Sequence, residues 1–298
     1  MPGKIPLTIQ DQLSLLQQRN MAFRDIIVAP HFLANISYYR LKGYWWEMQI
    51  DFVSHNFKQG SVFEDVIDLY NFDRHFRLII FNAIERIEIA LRTKLIYHLS
   101  LAYGAEWYLM QSIFKDKKEH IKFLSKLLND MCQSSEEFMV KHYQNHPDDY
   151  PEAWKGLEVV TLGTLSKIFD NLNPQLPEKS KIANEFGLSS AKDFSSWLRT
   201  ITLIRNIIAH HSRLWNRVLI TKYSWPSNLT NVILSYVPDE QKKKKVFPIL
   251  CAMIYMNDKI SSGHSLRKEL HELIQSFPNT AIYKMGFPQY WFNEPIFL

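Results

Sequence analysis

The chain has 298 residues, of which 46% are hydrophobic and 14% are aromatic. This composition is typical of a globular protein with a sizeable core and excludes a disordered chain. The formal net charge of +5 at pH 7 is compatible with a polyanionic partner. No run of about 18 uncharged apolar residues is present, and residues 1–20 lack the apolar centre of a signal peptide. We therefore expect a cytoplasmic protein without membrane contact.

The sequence contains none of the common metal or nucleotide motifs. Its two cysteines, Cys132 and Cys251, have no metal-ligand spacing and form no disulfide framework, so we expect reduced thiols. A glycine-rich phosphate loop, an HExxH pair and a GxSxG elbow are absent. His210 and His211 are adjacent, so on a helix they point about 100° apart and do not suit one metal ion. We expect no metal and no cofactor.

The N-terminal segment is predicted to form two helices followed by an aromatic stretch. The first helix is predicted for residues 7–18, with Thr8 as a suitable N-cap. The second is predicted for residues 26–39. In residues 38–48 (YYRLKGYWWEM) aromatic and basic side chains alternate, and the glycine predicts a turn. Such a stretch can stack bases and hold phosphates. More often it packs as an apolar plug, which is the interpretation that we prefer.

Helical periodicity continues through the rest of the chain. The longest predicted helix, residues 62–103, contains no glycine or proline. A block of four lysines, residues 242–245, predicts a solvated face or an auxiliary nucleic-acid patch. The aromatic tail, residues 286–298, is expected to dock on the protein. Further helices are predicted for residues 115–132, 158–172, 177–186, 229–236, 241–256 and 265–277.

The pattern predicts an all-α fold, because no stretch alternates convincingly as a strand and no repeat is present. We divide the sequence into an N-terminal helical extension (1–58), a helical bundle (59–217) and a C-terminal helical extension (218–298).

The stretch RNIIAHHSRLWNR, residues 205–217, stands out in this pattern. It continues an amphipathic helix that begins near Ser190. On a wheel of about 100° per residue, one side is apolar and the other is a narrow polar stripe. The residues on or beside that stripe are Arg199, Arg205, Asn206, His210, Arg213 and Arg217.

This polar stripe has an unusual charge. Residues 194–218 contain no acid, so nothing on this helix neutralises its arginines. Guanidinium groups suit phosphate oxygens, and histidine transfers protons near neutral pH. Arginine, histidine and asparagine together are the groups that cleavage of a phosphodiester without a metal requires. A purely structural role, with a buried histidine that braces the bundle, is the alternative.

At these residues the sequence resembles the HEPN superfamily, whose signature is an arginine followed by four to six residues and a histidine. Arg205, Asn206 and His210 match it as they stand. The longer string resembles the Abi family of abortive-infection proteins more specifically. Three other stretches agree with that family in the same order along the chain: NISYYRLKGY, LYNFDRHFRLIIFNAIERIEIALRTKL and GFPQYWFNEPIF.

The resemblance implies a HEPN-type helical bundle in residues 59–217 and an endoribonuclease that acts in phage defence as a toxin-type effector. Arg205, Asn206 and His210 would be catalytic. Because HEPN nucleases pair two motifs across a dimer, we also expect a homodimer. The other groups that we expect to act are the RNA-binding Arg199, Arg213 and Arg217 and the supporting Glu85, Glu88 and His211.

Two alternatives stay open at this point. Glu88 and Arg92 can form an ordinary i,i+4 pair worth about 0.3–0.5 kcal/mol, instead of Glu85 or Glu88 reaching Arg205 or His210. The whole protein can also be a non-catalytic RNA-binding or regulatory module that binds a tRNA, an mRNA or a small structured RNA, with or without an antitoxin.

Overall fold

The computed structural model describes residues 5–51 and 53–298. Across these ranges the chain forms α-helices joined by loops and 3-10 turns, with isolated backbone bridges and no β-strand. The predicted all-α class is confirmed. None of the helices in these ranges has the length and apolar character needed to cross a membrane.

The chain divides into two compact units, which are described separately. The first comprises the chain up to Leu78 together with Leu270–Thr280, and the second comprises Ile79–Glu269 together with Ala281–Leu298. These bounds differ from those of the three segments predicted above, whose status as domains stays a prediction.

The first unit is helical, with an apolar core. Its first helix follows a capping box, in which Thr8 accepts a hydrogen bond from the N–H of Asp11 while the Asp11 side chain accepts one from Thr8. The core buries Leu16, Trp45 and Phe63 completely. The helices are α1 (Ile9–Gln18), α2 (Ala29–Ile36), α3 (Tyr38–Trp45) and the first part of α4 (Phe63–Tyr103).

The helix predicted for residues 26–39 is interrupted at Ser37. Its φ is 75°, and its hydroxyl accepts a hydrogen bond from the N–H of Arg40, so Ser37 ends α2 and caps α3. The aromatic stretch is therefore largely helical, and the turn predicted at Gly43 is wrong because this glycine lies inside α3. Tyr44 and Trp45 are buried in the core.

A buried polar network joins α3 to α4 in the first unit. The Tyr44 hydroxyl donates to Asp73 Oδ2 at 2.7 Å, and Arg77 Nε donates to the same oxygen at 3.2 Å. Burial, together with the charge of Asp73, raises the pKa of Tyr44 well above its usual value. Because the buried carboxylate has these two donors, this pairing fixes which face of α3 meets α4.

The second unit is organised around a central helix, α10 (Ala191–Ala209), which packs against α8 (Leu162–Asn171), α9 (Pro177–Glu185) and α11 (Val246–Ile260). Its other helices lie before and after α10 in the sequence. They are the rest of α4, α5 (Lys117–Cys132), α6 (Glu137–Asn145), α7 (Ala153–Gly156), α8 (Leu162–Asn171), α9 (Pro177–Glu185), α10 (Ala191–Ala209), α11 (Val246–Ile260) and the start of α12 (Leu266–Ser276).

The C-terminal part differs from its prediction in two places. The helix predicted for residues 241–256 is α11, which runs from Val246 to Ile260 and follows a 3-10 turn at Lys242–Lys244. Residues 229–236 form turns instead of a helix, since Asn231 has a φ of 63° and its N–H donates to the Leu234 carbonyl at 2.7 Å. The expected docking of the tail is confirmed. Phe287 and Trp291 are buried, and the rings of Phe247 and Phe287 lie 4.5 Å apart.

Candidate functional site

The position of the site is set by the buried face of α10. Ser190 caps this helix by accepting a hydrogen bond from the N–H of Asp193. Trp197, Ile201 and Ile204 are completely buried, as the amphipathic pattern predicts. Because this face packs against three helices, the backbone that carries the polar residues at the end of α10 is held in place.

α10 ends one residue before His210, in a tight backbone turn. His211 has a φ of 53°, in the left-handed region. Its N–H donates to the Ile208 carbonyl at 2.8 Å, and the Ser212 N–H donates to the Ile207 carbonyl at 2.9 Å. These two bonds form a Schellman motif, with a histidine at the position where glycine is usual. The helix therefore stops at His210.

Arg205, Asn206 and His210, which we call the motif, lie together at this end of α10. The backbone N–H of His210 donates to the Asn206 carbonyl at 3.1 Å, so the two residues are one helical turn apart. Arg205 Nη1 donates to Asn206 Oδ1 at 3.4 Å. Asn206 and His210 are exposed and Arg205 is half-buried. The motif thus presents a cation, an amide and an accessible imidazole on adjacent turns.

Arg213 and Arg217 do not lie on the helical stripe, so that part of the prediction is wrong. The helix ends before them, and the loop that carries them is anchored by buried Leu214 and Trp215. The Arg213 guanidinium carbon lies 5.8 Å from the centre of the Trp215 ring, and Arg217 Nη1 donates to the Arg213 carbonyl at 3.5 Å. Their role in RNA binding stays a prediction.

Arg199 lies on α10 as predicted, but its charge is neutralised from another helix. Its Nη1 is 3.0 Å from Asp170 Oδ1 on α8, and Lys115 Nζ is 3.7 Å from Oδ2 of the same carboxylate. Residues 194–218 carry no acid, as stated above, and the carboxylate that neutralises Arg199 comes from α8. The acid was overlooked because it is 29 residues away in the sequence.

Glu88 forms the ordinary ion pair that was one of the two alternatives. Arg92 Nη2 donates to Glu88 Oε1 at 3.2 Å, and the guanidinium also donates to two backbone carbonyls within residues 157–160, each at 2.9 Å. This contact braces the turn that precedes α8. Glu85 is exposed on α4. Among the hydrogen bonds and ion pairs of the described ranges, none joins Glu85 or Glu88 to the motif.

A groove of about 690 Å³ opens beside the motif, lined by α5, α8 and α10; we call it the α8 groove. α8 runs antiparallel to α10, because a Cβ at Gly163 would lie 3.5 Å from Thr202 whereas Asp170 meets Arg199. The start of α8 therefore lies at the motif end of the groove. The lining residues of the described chain include Lys115, Asp116, Glu119, Lys122, Lys126, Thr161, Gly163, Thr164, Lys167, Asp170, Arg199, Thr202 and Asn206.

The acids of the α8 groove are already engaged by neighbouring groups. Asp116 caps α5, and the N–H groups of Glu119 and Lys118 hold the pKa of its carboxyl below the usual value. Glu119 accepts a hydrogen bond from Lys122 at 2.6 Å, and this contact raises the pKa of Lys122. Asp170 forms ion pairs with both Arg199 and Lys115. The unneutralised charge of the groove is consequently positive.

None of the lysines of the groove was predicted from the sequence to be part of the site. Lys122 and Lys126 lie one turn apart on α5, Lys115 lies just before that helix, and Thr164 and Lys167 lie one turn apart on α8. That spacing predicts one basic face per helix. It does not reveal that both faces meet Asn206 of α10, since the meeting depends on tertiary packing.

The fold and this site describe an all-α protein with a cluster of a half-buried arginine, an exposed asparagine and an exposed histidine at one end of a basic groove. The sequence matches the family described as Abi-like protein over residues 31–216, more than half of the chain, and the chain therefore belongs to this family. The matched range contains the motif and all three helices of the groove. Membership connects the protein with abortive infection, a form of phage defence. No curated protein and no solved structure matches the chain.

Proposed function

We propose that the protein is a metal-independent endoribonuclease of HEPN type that acts as an abortive-infection effector. The observation that carries the proposal is the cluster at the end of α10. Arg205, Asn206 and His210 occupy adjacent turns, and Asn206 also lines a groove with positive walls. The Arg-x4-His spacing in an all-α chain supports the HEPN assignment.

The reaction is an internal transfer at phosphorus. The 2′-oxygen of RNA forms a bond to the adjacent phosphorus while the bond from phosphorus to the 5′-oxygen breaks. The 2′-hydroxyl proton goes to a base, and the departing 5′-oxygen receives a proton from an acid. The products are a 2′,3′-cyclic phosphate and a 5′-hydroxyl. DNA has no 2′-hydroxyl and is not cleaved.

Each residue of the motif has one role in this reaction. His210 serves as the general base or the general acid, a contribution of about 10²–10⁴-fold to the rate. Arg205 donates to the phosphate oxygens and offsets the charge that develops there. Asn206, one turn before His210, hydrogen-bonds a phosphate oxygen or the imidazole.

One motif supplies one imidazole, whereas the reaction uses both a base and an acid. A homodimer in which two α10 helices face each other across a two-fold axis supplies two imidazoles and two guanidinium groups. The accessibility of His210 and Asn206 in the single chain is compatible with this arrangement.

The runner-up is a non-catalytic RNA-binding or regulatory module. One observation favours it: no side-chain hydrogen bond orients the His210 imidazole within the part of the chain that the structure describes, and the Asn206 amide oxygen accepts from Arg205 instead. An unoriented imidazole is a poor general base. The basic groove would bind RNA equally well without His210.

The deciding experiment compares wild type, His210→Ala and a control, His146→Ala, expressed in bacteria at matched levels. His146 is an exposed histidine outside the site. We expect growth arrest and new RNA 5′-hydroxyl ends with wild type and the control but not with His210→Ala. Cleavage that persists in His210→Ala contradicts the proposal. RNA that co-purifies equally with wild type and His210→Ala, without cuts in either, supports the binding module.

A further inference from the structure

We propose that the α8 groove binds the backbone of the RNA strand on one side of the cut, and that the substrate is consequently single-stranded and several nucleotides long. The inference rests on the proposed nuclease function, because the motif is where the strand would be cut. Asn206 belongs both to the motif and to the lining of the groove, so a strand that leaves the motif along this surface enters the groove directly.

Charge is the first argument for an RNA strand in this groove. Lys126 and Lys167 are exposed on its walls, and neither forms an ion pair with any residue of the described ranges. Lys115 and Arg199 at the far end share a single carboxylate, that of Asp170. Positive charge therefore extends along the groove from one end to the other, as an array of backbone phosphates requires.

Unsatisfied hydroxyls at the motif end are the second argument. Thr164 is 3% exposed and lines the groove, and its Oγ1 has no hydrogen-bond partner in the ranges that the structure describes; the same holds for Oγ1 of Thr202. A polar group sealed from water without a partner destabilises the fold. Phosphate oxygens are common acceptors for threonine. Both threonines line the groove, so a strand bound there would bring phosphate oxygens close to these two hydroxyls.

The start of α8 adds to the positive potential at the same end. Thr161 is its N-cap and makes no side-chain capping bond, so the first N–H groups of the helix are not used by that side chain. Aligned peptide dipoles give a helix N-terminus a partial positive charge that attracts phosphate. Thr164 lies on α8 and Thr202 lies on α10, and the two helices are in contact at this end of the groove.

The dimensions select a single strand over a duplex. α8 has ten residues and is about 15 Å long at 1.5 Å per residue, enough for a few nucleotides of an extended backbone. The groove of about 690 Å³ has room for a short stretch of one strand but not for both strands of a duplex.

The test compares substrates of two lengths. Lys126→Glu/Lys167→Glu removes two cations from the groove, and Lys118→Glu/Lys192→Glu is the charge-matched control, since both of its lysines are exposed and lie outside the lining. Binding of a 12-nucleotide single-stranded RNA is measured in the His210→Ala background, as a function of salt. Cleavage of the same RNA and of a dinucleotide is measured with His210 intact.

We expect the double variant to bind the 12-nucleotide RNA at least about tenfold more weakly than the control, with a salt slope lower by about 1.4, the value for two phosphate contacts on a single strand. Its kcat/KM falls for the long RNA and stays unchanged for the dinucleotide, which does not reach the groove. A loss that is equal for both substrates overturns the proposal, because it indicates damage to the motif or to the fold.

Three further outcomes separate this inference from the proposed function. Unchanged binding with normal cleavage rejects the groove and leaves the nuclease standing. Groove-dependent binding without any cleavage by wild type supports the groove and rejects the nuclease. Absence of both binding and cleavage in wild type rejects both.

Replacement of the two threonines gives an independent test, because it should raise the stability of the protein and weaken its binding of RNA. Thr164→Val/Thr202→Val should unfold at a higher temperature than wild type, because two sealed hydroxyls without partners are removed. The same variant should bind the 12-nucleotide RNA roughly tenfold more weakly if each hydroxyl donates to a phosphate. The control is Thr200→Val, whose hydroxyl already donates to the Ser196 carbonyl at 3.2 Å. Unchanged RNA affinity in the double variant would remove these hydroxyls from the proposed site.

Discussion

His210 is positioned by the backbone of α10 and not by contacts of its side chain. Its N–H completes the last hydrogen bond of the helix, while its imidazole is exposed. The location of the ring is therefore fixed but its orientation is left to the substrate or to a second chain. This is the physical reason why we pair the motif with a partner copy in the proposed mechanism.

Replacement of His211 tests the turn that ends α10. We compare His211→Gly with His211→Ala, since both remove the imidazole and any contact that it makes. The glycine variant should be more stable by about 1 kcal/mol, because alanine is strained at the left-handed φ of this residue. The measurement is the free energy of unfolding in urea. Equal stability of the two variants would show that residue 211 does not adopt the left-handed conformation.

Lys179 is a buried cation beside the C-terminal end of α8, which is the end of the groove away from the motif. It is 4% exposed, and its Nζ donates to the carbonyls of Asp170 and Leu172 at 2.9 and 2.7 Å, where α8 ends. Burial is the main reason, with repulsion from Lys115 second, that its pKa falls to about 8. The side chain thus satisfies two carbonyls at the end of α8, but the burial of its charge destabilises the folded state.

The lowered pKa of Lys179 predicts how the stability of the protein depends on pH. The unfolded chain keeps the Lys179 proton up to about pH 10.5 and the folded chain only up to about pH 8, so between these values the unfolded state binds more protons. The contribution of Lys179 to the free energy of unfolding should therefore rise as the pH rises from 8 to 10.5. The measurement is the difference in unfolding free energy between wild type and Lys179→Met at several pH values. A difference that stays constant or falls over this range would refute the assignment.

At the scale of elements, the contact between α8 and α10 affects both the stability of the fold and the charge of the groove. The pair of Arg199 and Asp170 is exposed on both sides, 50% and 38%, so it contributes at most about 1 kcal/mol to stability. Its larger effect is electrostatic, because Asp170 neutralises cations that would otherwise face the groove.

Removal of this acid should therefore improve RNA binding. Asp170→Asn frees Arg199 and Lys115 from their shared partner, and we expect severalfold tighter binding of single-stranded RNA with a steeper salt dependence. The unfolding free energy should change by no more than about 1 kcal/mol. Affinity is measured at several salt concentrations. Asp193→Asn changes an acid at the start of α10 outside the groove and serves as the charge control; an equal gain in both variants would indicate a non-specific effect of net charge.

At the scale of the whole molecule, the proposed mechanism requires two chains. Co-expression of wild type with His210→Ala in equal amounts gives wild-type homodimers for about one quarter of the population if chains pair at random. The specific activity of the mixture should then be about one quarter of that of wild type if each site needs both motifs. An activity of one half would show that each chain acts alone, as would an active monomer on dilution.

The elements were largely predictable because helical periodicity is a local property. α1, α4 and α10 begin within two residues of the predicted positions, and Thr8 caps α1 through the bonds that its sequence context suggests. Errors fall where one residue adopts a positive φ that nothing in its type requires, at Ser37, His211 and Asn231. A serine or histidine in a helical pattern carries no indication of such a turn, whereas a glycine would.

The sequence alone determined the all-α class, the amphipathic helix that presents Arg205, Asn206 and His210 at one end, and the resemblance to the family to which the chain belongs. These follow from spacing within one helix and from short strings of residues. Only the tertiary structure decided that Arg199 is neutralised by Asp170, that α10 stops before Arg213, and that α5 and α8 form a basic groove beside Asn206. The physical reason is that charge and shape at a surface are set by side chains from distant parts of the chain, which only packing brings together.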